Sequence, residues 1–495
     1  MTHPLLYQIN TRCWLRELSH RHDVHLTLAD VPESEFAFWQ SHGFTHIWLM
    51  GVWTVGPIVR SEAFKYADLL NAYNFLVPGW TSEDVLGSPY AIGDYHVSPA
   101  LGGDEALKKF RERLHARGLK LILDFVPNHL GLDHPWLREH PEYFVDGTDE
   151  TQGVFHQETV LGPRWIAHGK DPHFAPWIDT VQVDYRRAET RAVMLDLLQS
   201  VATRCDGVRC DMAMLLLNDV FARTWSHLPP QPSAHPAPTT EFWADAIPAV
   251  KRAQPGFIFL AEVYWSLEGH LQHLGFDYTY DKHLFDLLVN HRAAEPQAYL
   301  AAAPKKYIHA SAHFLENHDE HRIAPRLAPD EHRAAALLIL ALPGMRFLHE
   351  GQLTGYPHHI PVQLGRRPEI APDKTVVEIY ENLLAVLPKT ALGYGAANIL
   401  QPRRAHPDNA SSENFILILW QSCPAEFDLI VINLAPHRSA CSVSLSLADL
   451  ATHDWQMRDL LGSENYERAG VDLAAHGLFL DVPAHAAQIF HFTPR

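Results

Sequence analysis

One unit, repeated along the first three quarters of the chain, constrains the fold more than any other feature. It is a helical stretch, a break, a short and almost wholly apolar run, and a polar cluster where that run ends. Ala106–Arg117 (ALKKFRERLHAR) has apolar residues at 106, 107, 110 and 114, a helical spacing, and Gly118 suits its C-terminus. LKLILDFV follows directly and carries a carboxylate, Asp124, near its end. DLLQSVATRC leads in the same way into DGVRCD, EFWADAIPAVKRA into GFIFLAEV, and the segment before Ser311 into AHFLENHD. Upstream, LLYQIN from Leu5 and THIWLM from Thr45 read as strands on either side of a helix containing FAFWQSHG. Strands apolar on both faces belong to a parallel sheet covered by helices. Four of them finish in polar clusters: Asp124–His129, Arg209–Asp211, Glu262 and His318–Asp319. A closed (β/α)8 TIM barrel gathers all such ends on one face. An open doubly wound sheet would spread them along an edge, and no GxGxxG or GxxxxGK[ST] loop opens a helix to support nucleotide binding.

At 495 residues the chain should hold two or three domains. Residues 130–185 are rich in aromatics and turn formers but show no βα unit, which predicts an inserted subdomain after the third strand. Beyond about residue 390 the pattern changes. NFILILW, FDLIVINL and the alternating ACSVSLSL predict a C-terminal antiparallel β-sandwich over 391–495, which leaves 1–129 and 186–390 for the barrel. PPQPSAHPAPTT (Pro229–Thr240) reads either as a connector or as a rim element shaping substrate entry.

Composition narrows the partners. Lys+Arg 40 against Asp+Glu 58 gives a net charge of -18, which argues against nucleic acid and against an anionic membrane surface. A neutral ligand such as a sugar fits better. Five cysteines without CxxC spacing make neither a disulfide framework nor a zinc site. The N-terminal stretch lacks a basic and then apolar leader pattern, and AAALLILAL from Ala334 is stopped by Pro343–Gly344 before it could span a bilayer. The expectation is a soluble protein of the reducing cytoplasm.

Arg209 and Asp211 lie two apart on one strand, so their side chains point the same way, into the barrel mouth. The guanidinium should keep Asp211 ionised, as a nucleophile requires. Glu262 sits in apolar FLAEVYW, where desolvation should hold its proton for general-acid work. That division of labour is the one a retaining glycosidase needs.

Taken together, the clusters resemble the α-amylase family, glycoside hydrolase family 13. DFVPNH (Asp124–His129), GVRCD (Gly207–Asp211), AEV around Glu262 and ENHD (Glu316–Asp319) are similar to its four short regions, in order. VQVDY (Val181–Tyr185) resembles the motif of its inserted domain, and SPYAIGDYHVSPALGG (Ser88–Gly103) its stretch after the second strand. The resemblance implies Asp211 as nucleophile, Glu262 as acid/base and Asp319 as the carboxylate favouring the distorted sugar. It implies His129 and His318 hydrogen-bonding that ring, Arg209 orienting Asp211, Tyr90 stacking under the ring, and Asp124 as support. Arg322 would contact a second sugar or an anionic substituent, or make a surface salt bridge. Asn128 matches a calcium ligand of many members. No cofactor is needed for the chemistry, and calcium is left open because this sequence does not assemble the oxygens it needs. Trp53 and Trp265 are candidates to line the cleft.

One departure bears on specificity. Where many starch-hydrolysing members have Lys-His after the nucleophile, this chain has Met212-Ala213-Met214-Leu215, so the acceptor side should be more apolar. The implied activity is hydrolysis of α-glucosidic bonds in glucans or maltooligosaccharides through a covalent β-glycosyl-enzyme. The alternative is a transglycosylase or isomerase acting on trehalose- or sucrose-like disaccharides. A non-catalytic sugar-binding subunit is disfavoured, because all three carboxylates are present.

Overall fold

The computed structural model describes residues 3–228, 230–233 and 235–495. Eight parallel strands close into a barrel: β1 (Leu5–Asn10), β2 (His46–Met50), β3 (Lys120–Phe125), β4 (Gly207–Cys210), β5 (Ile258–Ala261), β6 (Tyr278–Tyr280), β7 (Ser311–His313) and β8 (Met345–His349). Each pairs with its neighbours in chain order, and β8 closes on β1. Both faces of these strands are covered, which is why β3 is buried from Leu121 to Phe125. Helix Gly103–His115 docks through Ala106, Leu107, Phe110 and Leu114, the four positions its periodicity marks. At the start of β4, Gly207 permits close strand packing, because a Cβ there would lie 2.7 Å from the Ile258 carbonyl.

Two strands escape the apolar-run signal. β6 has only three residues, and β8 carries Arg346 and His349 within MRFLH. The sequence also gives no warning of the long excursion between β2 and β3. There helices Pro57–Glu62 and Ala67–Leu76 precede Tyr90, and strands 53–54 and 94–97 pair.

Between β3 and β4, strand 129–131 pairs antiparallel with 180–182, and 154–159 forms a hairpin with 162–167. After Ala396, a six-stranded antiparallel sheet faces a three-stranded one. Phe415, Trp455 and Phe490 from the first pack with Cys441 and Leu480 from the second in a single apolar core. Pro229 and Ala234 of the proline-rich loop lie outside the described residues. Its Gln231 and Pro232 bond Phe144 and Arg164 of the inserted segment and Arg187 just beyond it. Among the described residues, no helix is long and apolar enough to cross a membrane.

Candidate active site

At the C-terminal mouth of the barrel, one guanidinium organises three carboxylates. Arg209 points inward from β4 and is fully buried. Its Nη1 donates to Asp211 Oδ1 at 2.5 Å, and Nη2 lies 2.8 Å from Glu262 Oε2 and 3.9 Å from Asp319 Oδ2. The Glu262 contact is a close ion pair whose N–H is not aimed along it, so Nη2 makes no hydrogen bond of good geometry. Nε donates to the Tyr280 hydroxyl at 3.2 Å, and the plane sits over Tyr90, Trp48 and Tyr280. The i, i+2 spacing read from the sequence therefore corresponds to a direct contact.

Glu262 is oriented from two sides. Oε2 accepts the Met212 amide at 2.7 Å, and Oε1 accepts the Tyr264 hydroxyl at 2.8 Å. Met212 adopts φ 43°, a left-handed turn unusual outside glycine, and this turn directs its N–H at the carboxylate. Burial pushes Glu262 up to about 7; Arg209 opposes the rise and Asp211 adds to it. Asp211 is also raised by burial, against the pull of Arg209, and it lies within hydrogen-bonding reach of Glu262. The expectation that Arg209 would simply hold Asp211 ionised is thus incomplete, since one cation serves three acids. Asp211 has the shortest contact to that cation, so the shared proton belongs on Glu262. Asp319 is moved upward by burial as well, but its side chain is 43% exposed to the pocket, which blunts the effect.

His318 bridges Gln8 of β1 (Nδ1 to Nε2, 2.6 Å) and the Tyr90 hydroxyl (2.6 Å at Nε2), with Asp319 Oδ2 3.1 Å from the same Nε2. Burial and the Arg209 charge push it well below the usual imidazole range, so it is neutral. His129, lowered by burial to about 3, is neutral too. It is packed under the inserted segment, where a Cβ on Gly169 would come within 2.8 Å of the His129 Cβ. Asp124 accepts from Trp48 Nε1 and the Gly51 amide, both at 3.0 Å, and is pushed by burial to about 7. Cys210 is buried, and burial raises its thiol, which leaves it unreactive.

Tyr90, His129, Asp211, Glu262 and Asp319 share the wall of a cavity of about 410 Å³. Met212 connects it to a second cleft of about 500 Å³ bounded by Tyr264, Trp265 and Phe174. The latter two side chains are 39% and 73% exposed. The rim of this second cleft carries exposed aromatics together with Lys282 and His283, which come from the helix after β6 and not from the segment that follows Asp211. Trp53 does not line the cleft; it is buried, with Nε1 donating to the Asp124 carbonyl.

Two expectations are corrected. Arg322 does not face substrate: it is buried and donates to Glu316 Oε1 at 2.7 Å, the Glu350 carbonyl at 2.6 Å and the His358 carbonyl at 3.2 Å. Buried, bonded through Nη1 and Nε to protein oxygens and absent from the walls of both clefts, this guanidinium braces the loop after Asp319. Asn128 does not fit a calcium site. Its Oδ1, its carbonyl and the Val183 carbonyl converge on Gln182 Nε2 at 3.0, 2.8 and 3.1 Å, so an amide nitrogen stands where a cation would be needed. Among the described residues, no cluster of three His, Cys, Asp or Glu side chains forms a metal site.

Sequence reasoning missed Tyr264, Gln8, Tyr280 and the pocket wall of Tyr66, Trp177 and Asp179. For Tyr264 a signal exists, since it stands two residues beyond Glu262, the spacing that couples Arg209 to Asp211.

The family model described as "Alpha amylase, catalytic domain" matches residues 40–376. The chain belongs to the α-amylase family. Among curated proteins it is similar to α-amylase MalA of Haloarcula japonica, 25% identical over 321 residues that cover 63% of this chain and 42% of that protein. It is also similar to the alpha-1,4-glucan:maltose-1-phosphate maltosyltransferase of Cereibacter sphaeroides, 45% identical over 83 residues, 15% of this chain and 13% of that one. The matches thus span less than half the length of these relatives. A solved noncanonic maltogenic α-amylase, AmyB of Thermotoga neapolitana, superposes with a TM-score of 0.67 over 99% of both chains at 19% identity, a likeness of fold.

Proposed function

We propose that this α-amylase family member hydrolyses α-glucosidic bonds of glucans or maltooligosaccharides with retention of anomeric configuration. The observation that carries the reading is the single Arg209 guanidinium in contact with Asp211 and Glu262, with Asp319 at its edge and a pocket over all three. In the first step Asp211 attacks the anomeric carbon as Glu262 delivers its proton to the departing glycosidic oxygen. The C–O bond to the aglycone breaks, and a β-glycosyl ester forms on Asp211. In the second step Glu262, now ionised, takes a proton from water. The hydroxide displaces Asp211, and the α-configured sugar leaves with Glu262 reprotonated. Asp319, open to the pocket, would hold ring hydroxyls as the sugar flattens toward an oxocarbenium ion. Neutral His129 would hydrogen-bond the same ring without adding positive charge beside it, and Tyr90 would offer it an aromatic face; His318, whose two ring nitrogens are taken by Gln8 and the Tyr90 hydroxyl, would hold Tyr90 and Asp319 in place.

Charge around the acceptor cleft favours water or a neutral hydroxyl over phosphate. Asp171, Glu268, Asp286 and Glu320 border it against Lys282, which is itself held by Asp286 at 2.5 Å and Glu320 at 3.2 Å. Its exposed aromatics, Trp265 and Phe174, would suit an acceptor sugar, which keeps transfer to a disaccharide hydroxyl as the second reading. Product analysis with maltotriose, sucrose and trehalose separates the two: net release of reducing ends is expected, and disproportionation without it would favour transfer. In this reading the barrel unit comprises 1–129 and 186–390, the insert 130–185 and the β-sandwich 391–495. The five free cysteines support a reducing, cytoplasmic setting.

Two further outcomes follow. Because Glu262 must carry its proton and titrates at about 7, kcat/KM should fall as pH rises through that value. Tyr264→Phe removes a donor that favours the ionised form, so its alkaline limb should move to higher pH; an unmoved limb would mean the hydroxyl does not act on Glu262. Because the Gln182 amide fills the Asn128 cradle, calcium is assigned no part. Dialysis against EDTA should leave the melting temperature and activity unchanged, and recovery of either on adding Ca²⁺ would refute this.

A further inference from the structure

Asp179 is a pocket residue that neither the catalytic proposal nor the family motifs use. It belongs to the segment Trp177–Thr180, which runs into the strand paired with 129–131 and lines the same cavity as the catalytic carboxylates. The backbone around it is pinned at three points. Tyr66 Oη accepts the Ile178 amide at 3.3 Å, the Asp179 carbonyl accepts the Leu132 amide at 3.3 Å, and the Thr180 amide donates to the Trp177 carbonyl at 3.0 Å. Its carboxylate, by contrast, has no ion pair and no hydrogen bond to another side chain among the described residues. The charge that bears on it is Glu62, whose own partner is Lys65 at 2.5 Å. Asp179 lines the cavity over the catalytic carboxylates but not the second cleft beyond Met212, so it stands on the side away from Tyr264 and Trp265.

We infer that Asp179 is a specificity-determining residue that accepts hydrogen bonds from hydroxyl groups at the end of the bound glucosyl chain remote from the cleaved linkage. The inference rests on the glucan reading above. A rigidly mounted acceptor with no cation beside it asks for neutral donors, and vicinal sugar hydroxyls supply two at carboxylate spacing. Tyr66 and Trp177, which flank it on the same wall, add flat apolar faces of the kind a pyranose covers. The Asp179 carboxylate, with no cation paired to it, itself disfavours an anionic group such as a phosphate or a uronic acid. Burial raises Asp179 to about 6, so the carboxylate is mostly ionised and accepting at neutral pH and has lost half of that capacity by about pH 6.

The test uses Asp179→Asn and Asp179→Ala in the full chain with maltotriose. KM should rise by about tenfold or more, as for loss of a hydrogen bond to a charged group, while kcat stays within about threefold and the melting temperature does not fall. A second readout needs no turnover. The Kd of maltotriose measured by calorimetry on Asp211→Asn should weaken by a similar factor when Asp179→Ala is added. Unchanged KM and Kd would overturn the inference, and so would a drop in melting temperature accompanying every kinetic change, which marks a structural role. If Asp179→Ala does not fold, Asp179→Asn alone decides. Native-like binding of maltotriose with no effect at Asp179 sinks this inference only, whereas failure of the native chain to bind or cleave any maltooligosaccharide sinks the glucan reading and this inference together.

Discussion

Asp211→Asn lowers kcat on maltotriose by about 10⁴-fold or more, the scale of loss when a covalent nucleophile is removed, and leaves the fold intact. The amide oxygen can still accept the Arg209 Nη1 hydrogen bond, now 2.5 Å, and the guanidinium keeps Glu262 at 2.8 Å. Only the attacking charge is lost, so binding of maltotriose should survive within a few-fold. Thermal unfolding should not move downward, because a buried carboxylate raised by desolvation is replaced by a neutral group of the same shape. Near-native turnover in this variant would assign the nucleophile elsewhere.

Arg209→Met should be the most damaging substitution for the fold and should abolish activity as well. Its guanidinium is the one cation shared by three acids, and it also anchors the Tyr280 hydroxyl at 3.2 Å. Removing one partner of a buried ion pair costs about 3–5 kcal/mol, because the remaining charges stay desolvated. The penalty should depend on pH with a definite sign. Near pH 5, Glu262 is protonated and asks little of Arg209; above pH 7 it is ionised and uncompensated. Urea unfolding at the two pH values should therefore show a larger loss relative to the native chain at the higher one. Arg209→Lys keeps a charge but cannot reach two carboxylates with a planar fork, so it should restore stability only in part. A pH-independent loss, or none, would show that the carboxylates do not rely on this residue.

The legible part of this protein follows from burial. Strands enclosed on both faces must be apolar until they emerge at the mouth, so the first polar residues at the ends of β3, β4, β5 and β7 mark the groups that gather at the candidate site. The helical face of Gly103–His115 is readable for the same reason. β6 and β8 break this rule because their interior positions are themselves polar or ring-bearing. Tyr280 pairs with Arg209, and Arg346 is buried with Nη2 donating to the His3 carbonyl. Groups that reach the pocket from irregular segments leave no periodic trace. Tyr66, Trp177 and Asp179 are brought there by a long excursion and an inserted segment whose paths depend on contacts such as Leu132 with Asp179. Proximity in sequence also misleads. Arg322 lies three residues past Asp319, yet the loop turns it back onto Glu316, its buried partner at 2.7 Å. Asn128 looks like a metal ligand until Gln182, distant in the chain, is seen closing over it.

The most direct measurement is labelling with 5-fluoro-α-D-glucosyl fluoride, which slows breakdown of a glycosyl ester enough to trap it, followed by intact-mass and peptide analysis. One glycosyl group per chain, on the peptide that holds Asp211, is the predicted result. A label on any other carboxylate, or no label together with β-configured product from maltotriose, would contradict the account.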